Sequence, residues 1–386
     1  MITFTDDQKH AIEAVLDWYS SKKRPFITLG GYAGTGKTTI LGYIRNELRK
    51  KKVTRVAFCA YTGKAARVLE SKLTDAQSLN EKDRVSTIHS LIYKALTNTQ
   101  GEVIGWDKRI DVAFDLIIVD EASMVDEYIW QDLLSFGIPI LAVGDHGQLY
   151  PIQGKFSLMR KPDITLEKIH RQAEGNPIIH VSMLARKEGA IPITSFSKIV
   201  KKFDRYDPET GSEIEDMFYG FDENMLILCG YNKTRIQLNS QVRQQLGFEG
   251  QGIEVGERVI CLKNNHQEGL VNGLQGYIVS LESINEFHYS AEISFDDTRD
   301  VFKGKILKAQ FDSPNLVTKL NGIHPRQFGG QFDKGYAVTV HKAQGSQARR
   351  VILFEERFPQ MSDDDWRRWL YTGVTRAEEE LFIIGR

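Results

Sequence analysis

The sequence predicts an α/β fold made twice, as two parallel β-sheets covered by helices. Three observations predict it. Short apolar runs alternate with helical stretches, the pattern of strands buried on both faces. Each run ends in glycine or polar residues, where open α/β sheets bind ligands beyond their strands' carboxyl ends. The pattern then restarts near residue 224, in a chain of 386 residues, too long for one ordinary core.

The elements follow in order. FITLGG (26–31) is the first strand, and TTILGYIRNELRKKK after it carries Ile40, Ile44 and Leu48 at helical spacing. RVAFCAY (55–61), FDLIIVDE (114–121) and IPILAVGD (138–145) complete the first set. NMLILCG (224–230), RRVILFEE (349–356) and ELFIIG (380–385) form the second, with helices at 232–246 and 362–376. A boundary near residue 165 gives units 1–165 and 166–386. Two stretches fit neither sheet. Residues 95–112, polar and glycine-containing, read as a small hairpin. Residues 270–326 hold an Asn-Gly turn at 272–273 and the alternating run HYSAEISFDD, so they read as an antiparallel insert. The plainer alternative for both is a surface excursion.

Hydrophobic residues at 41% and charged residues at 26% make an ordinary globular mix. No apolar run is long enough to span a bilayer, and the N-terminus lacks a signal-peptide core. Cys59, Cys229 and Cys261 are far apart and odd in number, against a disulfide framework or zinc site. The expected location is a reducing cytoplasm, a host's if the chain is virus-encoded. A net charge of −1 excludes a whole-protein basic field but leaves room for a local groove. The runs SKKR (21–24) and RKKK (49–52) read first as solvated charge.

GGYAGTGKTT (30–39) satisfies the G-x-x-x-x-G-K-[ST] pattern between a strand and a helix. Backbone N–H groups at Gly34, Thr35 and Gly36 would curl around phosphate oxygens. Lys37 would reach the β- and γ-phosphates, and the Thr38 hydroxyl, followed by Thr39, suits Mg²⁺. LIIVDEAS ends a buried strand in Asp120, for the metal, and Glu121, to orient and deprotonate water. In AVGDHGQLYPI, the Gln148 amide would meet the γ-phosphate or the attacking water. These residues imply ATP and Mg²⁺ as ligands.

The ordered set FTDDQKHAI, GYAGTGKTT, AYTGKAARVL, STIHSLI, IIVDEASMV, VGDHGQLYPI, LEKIHRQ, YAVTVHKAQGSQ and LYTGVTRAEEELFII resembles superfamily 1 helicases, and within them the RecD and Dda branch, superfamily 1B. The likeness spans nearly the whole chain. It implies two RecA-like motor domains with ATP between them, a hairpin insert in the first and an SH3-like β insert in the second. It implies an ATP-hydrolysing DNA helicase moving on single-stranded DNA, usually 5′ to 3′. Gln8 would read the adenine edge, and Arg171 and Arg376 would be arginine fingers. Thr62, Lys64, His89, Thr339, His341 and Gln344 would grip the DNA backbone. Gln344 and Gly345 face either the strand or the nucleotide, and His89 is alternatively a half-buried helix cap. Tyr93 and Trp106, near the hairpin, either stack on bases or pack the insert. Expected partners are single-stranded and forked DNA and replication or recombination proteins, for a monomer free of membranes. The chain is short for this branch, with both inserts trimmed, which bears on strand separation more than on ATP hydrolysis. A translocase subunit that does not unwind alone and an RNA helicase are the alternatives.

Overall fold

The computed structural model describes residues 4–97, 103–150, 156–168, 175–250, 252–263, 265, 268, 270, 272–296 and 301–386. Its first half runs α1 (Asp6–Ser21), β1 (Phe26–Gly31), α2 (Lys37–Lys50), β2 (Val56–Ala60), α3 (Gly63–Asp75), β3 (Arg84–Thr87) and α4 (Ile88–Ile92). Then come β4 (Tyr93–Thr97), β5 (Val103–Lys108), β6 (Leu116–Val119), α5 (Glu127–Leu134), β7 (Ile140–Gly144) and β8 (Ile164–Leu166). The sheet order is β3-β2-β6-β7-β1-β8, and every pairing is parallel. Strands β2, β6 and β7 are buried at every position, so their apolar runs are uninterrupted. Ile40, Leu41, Ile44 and Leu48 of α2 pack under this sheet with Val56, Leu116 and Leu141, all fully buried. Each such side chain contributes roughly 1.5–3 kcal/mol of burial.

The second half continues α6 (Pro177–Glu188), β9 (Ser195–Ser197), β10 (Val200–Asp204), α7 (Pro208–Tyr219), β11 (Met225–Cys229) and α8 (Asn232–Gln245). Strands β12 (Arg258–Cys261), β13 (Gln275–Ser283), β14 (His288–Phe295), β15 (Val301–Leu307) and β16 (Phe332–Lys334) follow. The chain ends β17 (Ala337–Thr339), β18 (Ala348–Phe354), α9 (Asp363–Val374) and β19 (Ala377–Gly385). The second sheet, β17-β11-β18-β19-β10-β9, is parallel except for its last pair. The fold is therefore mixed α/β with parallel sheets. Strand β10 was not legible in the sequence. Its run VKKFD is broken by lysines, and Lys202 is buried because it pairs with Glu355 and donates to Arg386 O at 2.8 Å.

Strands β15-β14-β13-β12-β16 make a separate antiparallel sheet. It draws in β12 and β16, which lie outside the 270–326 span read from sequence, because both pair directly across that span's base. Arg235 of α8 holds it to the second unit through Asp333 of β16 at 2.5 Å, both side chains buried. Strands β4 and β5 pair as an antiparallel hairpin. Among the described residues, no helix is long and apolar enough to cross a membrane.

Candidate active site

Both α/β units line one cleft of about 430 Å³, a volume suited to a nucleotide-sized ligand. The first unit contributes Gly34, Gly36, Lys37, Thr38, Thr39, Asp120, Glu121, Asp145 and Gln148. The second contributes Gly345, Thr375 and Arg376. Sequence-distant motifs thus share one surface.

The glycine loop turns from β1 straight into α2. Gly34 and Gly36 adopt φ of 78° and 79°, left-handed values that glycine takes without strain. Gly36 is the N-cap of α2 and no side chain caps that helix. Its first-turn N–H groups are therefore available to an anion, aided by the helix dipole. Lys37 Nζ donates to Gly31 O at 2.7 Å and Tyr32 O at 3.0 Å. A phosphate would compete well for that ammonium, since a charged acceptor binds it more strongly than a carbonyl.

Asp120 is buried where β6 ends. Desolvation, then the charge of Glu121, push its carboxyl up to about 6. Glu121 has a positive φ of 52°, uncommon for a residue with a side chain. Glu121 Oε2 and Gln148 Oε1 are buried without a hydrogen-bond partner among the described residues. Both are acceptors that line the cleft, so each can take a proton from what binds there. Thr38 and Asp120 line the same cleft. One carboxylate, one hydroxyl and phosphate oxygens are the hard oxygen set that Mg²⁺ accepts, so the residues fit that ion.

Arg376 enters from the second unit and is only 2% exposed. Nε donates to Thr372 O at 3.0 Å and Nη1 to Ser346 O at 3.1 Å, which fixes the guanidinium at the cleft wall. Burial lowers its pKa, opposed by the carboxylates of Glu121 and Asp145. Arg171 lies outside the described residues.

Gln8 and Thr35 sit behind the glycine loop and outside the cleft lining. Gln8 is 1% exposed, donates from Nε2 to Thr35 O at 2.9 Å, and accepts from Thr5 N–H at 2.9 Å. Its amide closes the cap of α1 and pins the loop. Thr35 Oγ1 donates to Tyr32 O at 2.8 Å, inside the same loop.

The residues expected to grip DNA follow strand ends. Thr62 caps α3, accepting from Ala65 N–H at 3.2 Å, and Lys64 lies in the first turn of that helix. His89 lies in α4, its ring 6.3 Å from Tyr61 and 5.6 Å from Tyr93. Thr339 ends β17 and is buried, its carbonyl accepting from Lys342 and Ala343 N–H groups. His341 is partly buried, and desolvation lowers its pKa. Gly345, at φ 75°, sits against the first unit. A Cβ there would stand 2.5 Å from Met124 Sδ and 3.5 Å from Thr62 Cγ2, and the left-handed backbone at this point favours glycine. Gln344 Nε2 donates to Leu149 O at 2.8 Å, and so faces the loop after Gln148. Tyr93 donates to Asp132 Oδ2 at 2.5 Å, which favours its packing role, while Trp106 on β5 is 39% exposed.

Asp145 and Tyr371 escaped the sequence reading. Both stand inside quoted motifs, GDHGQ and LYTGVTRA, yet nothing local signals that they touch. Tyr371 donates to Asp145 Oδ2 at 2.6 Å across the seam.

Residues 3–203 match the family described as an AAA domain, and residues 334–384 match the UvrD-like helicase C-terminal domain. The chain is 27% identical over 394 residues to the ATP-dependent RecD2 DNA helicase of Deinococcus radiodurans, covering 96% of this chain and 48% of that protein. It thus spans about half the length of that relative. It is 32% identical over 448 residues to the ATP-dependent DNA helicase dda of Enterobacteria phage T4, covering 98% of this chain and 99% of that one. The solved Pif1 helicase from Bacteroides, in complex with ADP-AlF3 and ssDNA, superposes with a TM-score of 0.51 at 18% identity. The match covers 99% of this chain and 92% of that one, and shows a shared fold. With the family likeness running through both units and the shared cleft, the chain belongs to the superfamily 1B DNA helicases of the RecD and Dda type.

Proposed function

We propose that this chain is an ATP-dependent DNA helicase that moves along single-stranded DNA in the 5′ to 3′ direction. The observation that carries the reading is the shared cleft. The glycine loop, Asp120, Glu121 and Gln148 face Arg376 and Gly345 from the other unit. A triphosphate bound there is contacted from both sides, and a diphosphate loses the γ-phosphate contacts. That difference in contacts is what lets hydrolysis open and close a seam.

In this reading, residues 1–165 form motor domain 1A, with the β4–β5 hairpin as insert 1B. Residues 166–386 form domain 2A, and the antiparallel sheet is its SH3-like insert 2B. Gly34, Thr35, Gly36, Lys37, Thr38 and Thr39 form the phosphate cradle. Mg²⁺, held by Thr38 and Asp120, supplies charge neutralisation at the phosphates when bound. Glu121 accepts a proton from the attacking water, and Gln148 holds that water in line. Arg376, with Arg171, neutralises charge developing on the γ-phosphoryl. Thr62, Lys64, His89, Thr339 and His341 hold the strand through phosphate contacts, which tolerate any sequence. The cytoplasm, a monomeric state, and replication or recombination proteins as partners belong to the same reading.

The test is strand displacement with ATP and Mg²⁺ on two duplexes that differ only in a 5′ or a 3′ single-stranded tail. Release from the 5′-tailed duplex alone supports the reading, and release from the 3′-tailed duplex alone refutes the polarity. The small β4–β5 hairpin favours a second reading, a translocase that needs a partner to separate strands. Its signature is hydrolysis stimulated by single-stranded DNA with release from neither duplex. Equal stimulation by RNA would point to an RNA helicase.

A further inference from the structure

We propose that Tyr371 is a positioning residue of this motor: its hydroxyl, bonded at once to the glycine loop and to Asp145, sets where Arg376 meets the nucleotide cleft. The inference rests on the ATP-motor reading above and names the part that links its two halves.

Tyr371 belongs to α9 of the second unit, yet both hydrogen bonds of its hydroxyl go to the first. It accepts from Ala33 N–H at 2.7 Å and donates to Asp145 Oδ2 at 2.6 Å. Asp145 Oδ1 in turn accepts from Gly147 N–H at 2.8 Å, one residue before Gln148. The side chain is 1% exposed. Burial and the Asp145 carboxylate raise the phenol well above its usual value, so it keeps its proton and donates in a fixed direction. A hydrogen bond from a neutral donor to a buried carboxylate is among the stronger kinds.

The following residues carry the same contact toward the cleft. Thr372 Oγ1 accepts from Leu149 N–H at 3.0 Å, just after Gln148. Thr375 Oγ1 donates to Tyr371 O at 2.9 Å, and Arg376 Nε donates to Thr372 O at 3.0 Å. The guanidinium is thus bonded to the helix end that Tyr371 docks. Moving that end by about 1 Å displaces a transition-state contact enough to slow chemistry by roughly a hundredfold.

The loop contact also reports nucleotide. Lys37 is bonded to Gly31 O and Tyr32 O, immediately before Ala33. Drawing Lys37 onto a phosphate releases that turn, and Ala33 N–H is the next donor along it. Tyr32 is clasped as well, its ring 4.0 Å from His146 and 3.5 Å from the Arg186 guanidinium of α6. The Arg186 clasp is a cation–π contact with loose directionality, whereas the Tyr371 hydroxyl bonds are directional, which suits them to set a register.

Tyr371→Phe deletes that hydroxyl and keeps the ring. In the full chain, with saturating single-stranded DNA, we expect kcat for ATP hydrolysis to fall about tenfold or more. KM for ATP should stay within about twofold, since Lys37, Thr38 and the first-turn N–H groups of α2 keep their places. Combined with Arg376→Lys, the loss should be no larger than that of Arg376→Lys alone, because both act through the same guanidinium. Thermal unfolding of Tyr371→Phe, measured alongside, separates this from loss of folding. Wild-type kcat in Tyr371→Phe, or losses that multiply in the double variant, overturns the inference alone. Absence of hydrolysis in the wild-type chain overturns the motor reading and this inference together.

Discussion

The Gln344 side chain donates from Nε2 to Leu149 O at 2.8 Å, joining the loop after β17 to the loop that carries Gln148. The residue read as a DNA contact therefore touches the loop expected to hold the attacking water. Gln344→Ala should leave hydrolysis without DNA within about twofold and cut stimulation by single-stranded DNA several-fold, since a neutral hydrogen bond is worth about 1 kcal/mol. Steady-state hydrolysis against DNA concentration measures both, and undiminished stimulation would show that this contact carries no coupling.

Lys37 Nζ is bonded to the loop carbonyls of Gly31 and Tyr32, and its charge reaches the Asp120 carboxylate across the cleft. Lys37→Ala should abolish ATP hydrolysis while single-stranded DNA still binds, as read by fluorescence anisotropy. Normal turnover in that variant would remove this loop from the active site.

Arg376 offers a planar, fixed fork, and lysine offers a mobile point charge. Arg376→Lys should lower kcat by about a hundredfold or more, short of the full loss of an arginine finger because lysine keeps the charge, with ATP affinity changed only a few-fold. Stopped-flow binding of a fluorescent ATP analogue, beside steady-state kcat, separates the two. A large loss of binding with kcat preserved would assign Arg376 to ground-state binding.

Burial, then the charge of Glu121, push the Asp120 carboxyl up from its usual 3.8 to about 6 in the fold. Between these values the folded chain binds the proton more readily than the unfolded one. Its contribution to stability is therefore greatest at low pH and is lost as pH rises through about 6. Without metal or nucleotide, Asp120→Asn should raise stability at pH 8 by about 2 kcal/mol, and the gain should vanish below pH 4. Denaturant melts at the two pH values check this, and a gain that grows on acidification would contradict the assigned cause.

Arg45 and Asp83 form a two-pronged pair, Nε to Oδ2 at 2.7 Å and Nη2 to Oδ1 at 2.9 Å, both buried. Asp83 also accepts from the N–H groups of Val56 and Asn80, at 2.9 Å each. Asp83→Ala strands a buried guanidinium and should cost about 3–5 kcal/mol, read as a lower melting temperature. A shift under 1 kcal/mol, read by denaturant titration, would mean that water reaches Arg45 readily.

The sequence by itself determined the strands that build the two sheets and the groups that handle phosphate. FITLGG is β1 to the residue, and the glycine loop after it carries Lys37 and Thr38 to the cleft. These are local facts: apolar runs of strand length, and glycines where the backbone must turn left-handed. The tertiary structure decided what no local pattern encodes. Strand β10 is set by its pairing with β19, and its Lys202 is buried against Glu355, a partner far along the chain. Gln8 is turned inward by Thr35 O, and Gln344 by Leu149 O. Tyr371 and Asp145 meet only because α9 docks against the glycine loop. Each side chain had several chemically reasonable uses. The choice among them was made by which distant hydrogen-bonding group lay within about 3 Å once the two units had packed, a distance that composition and spacing do not contain.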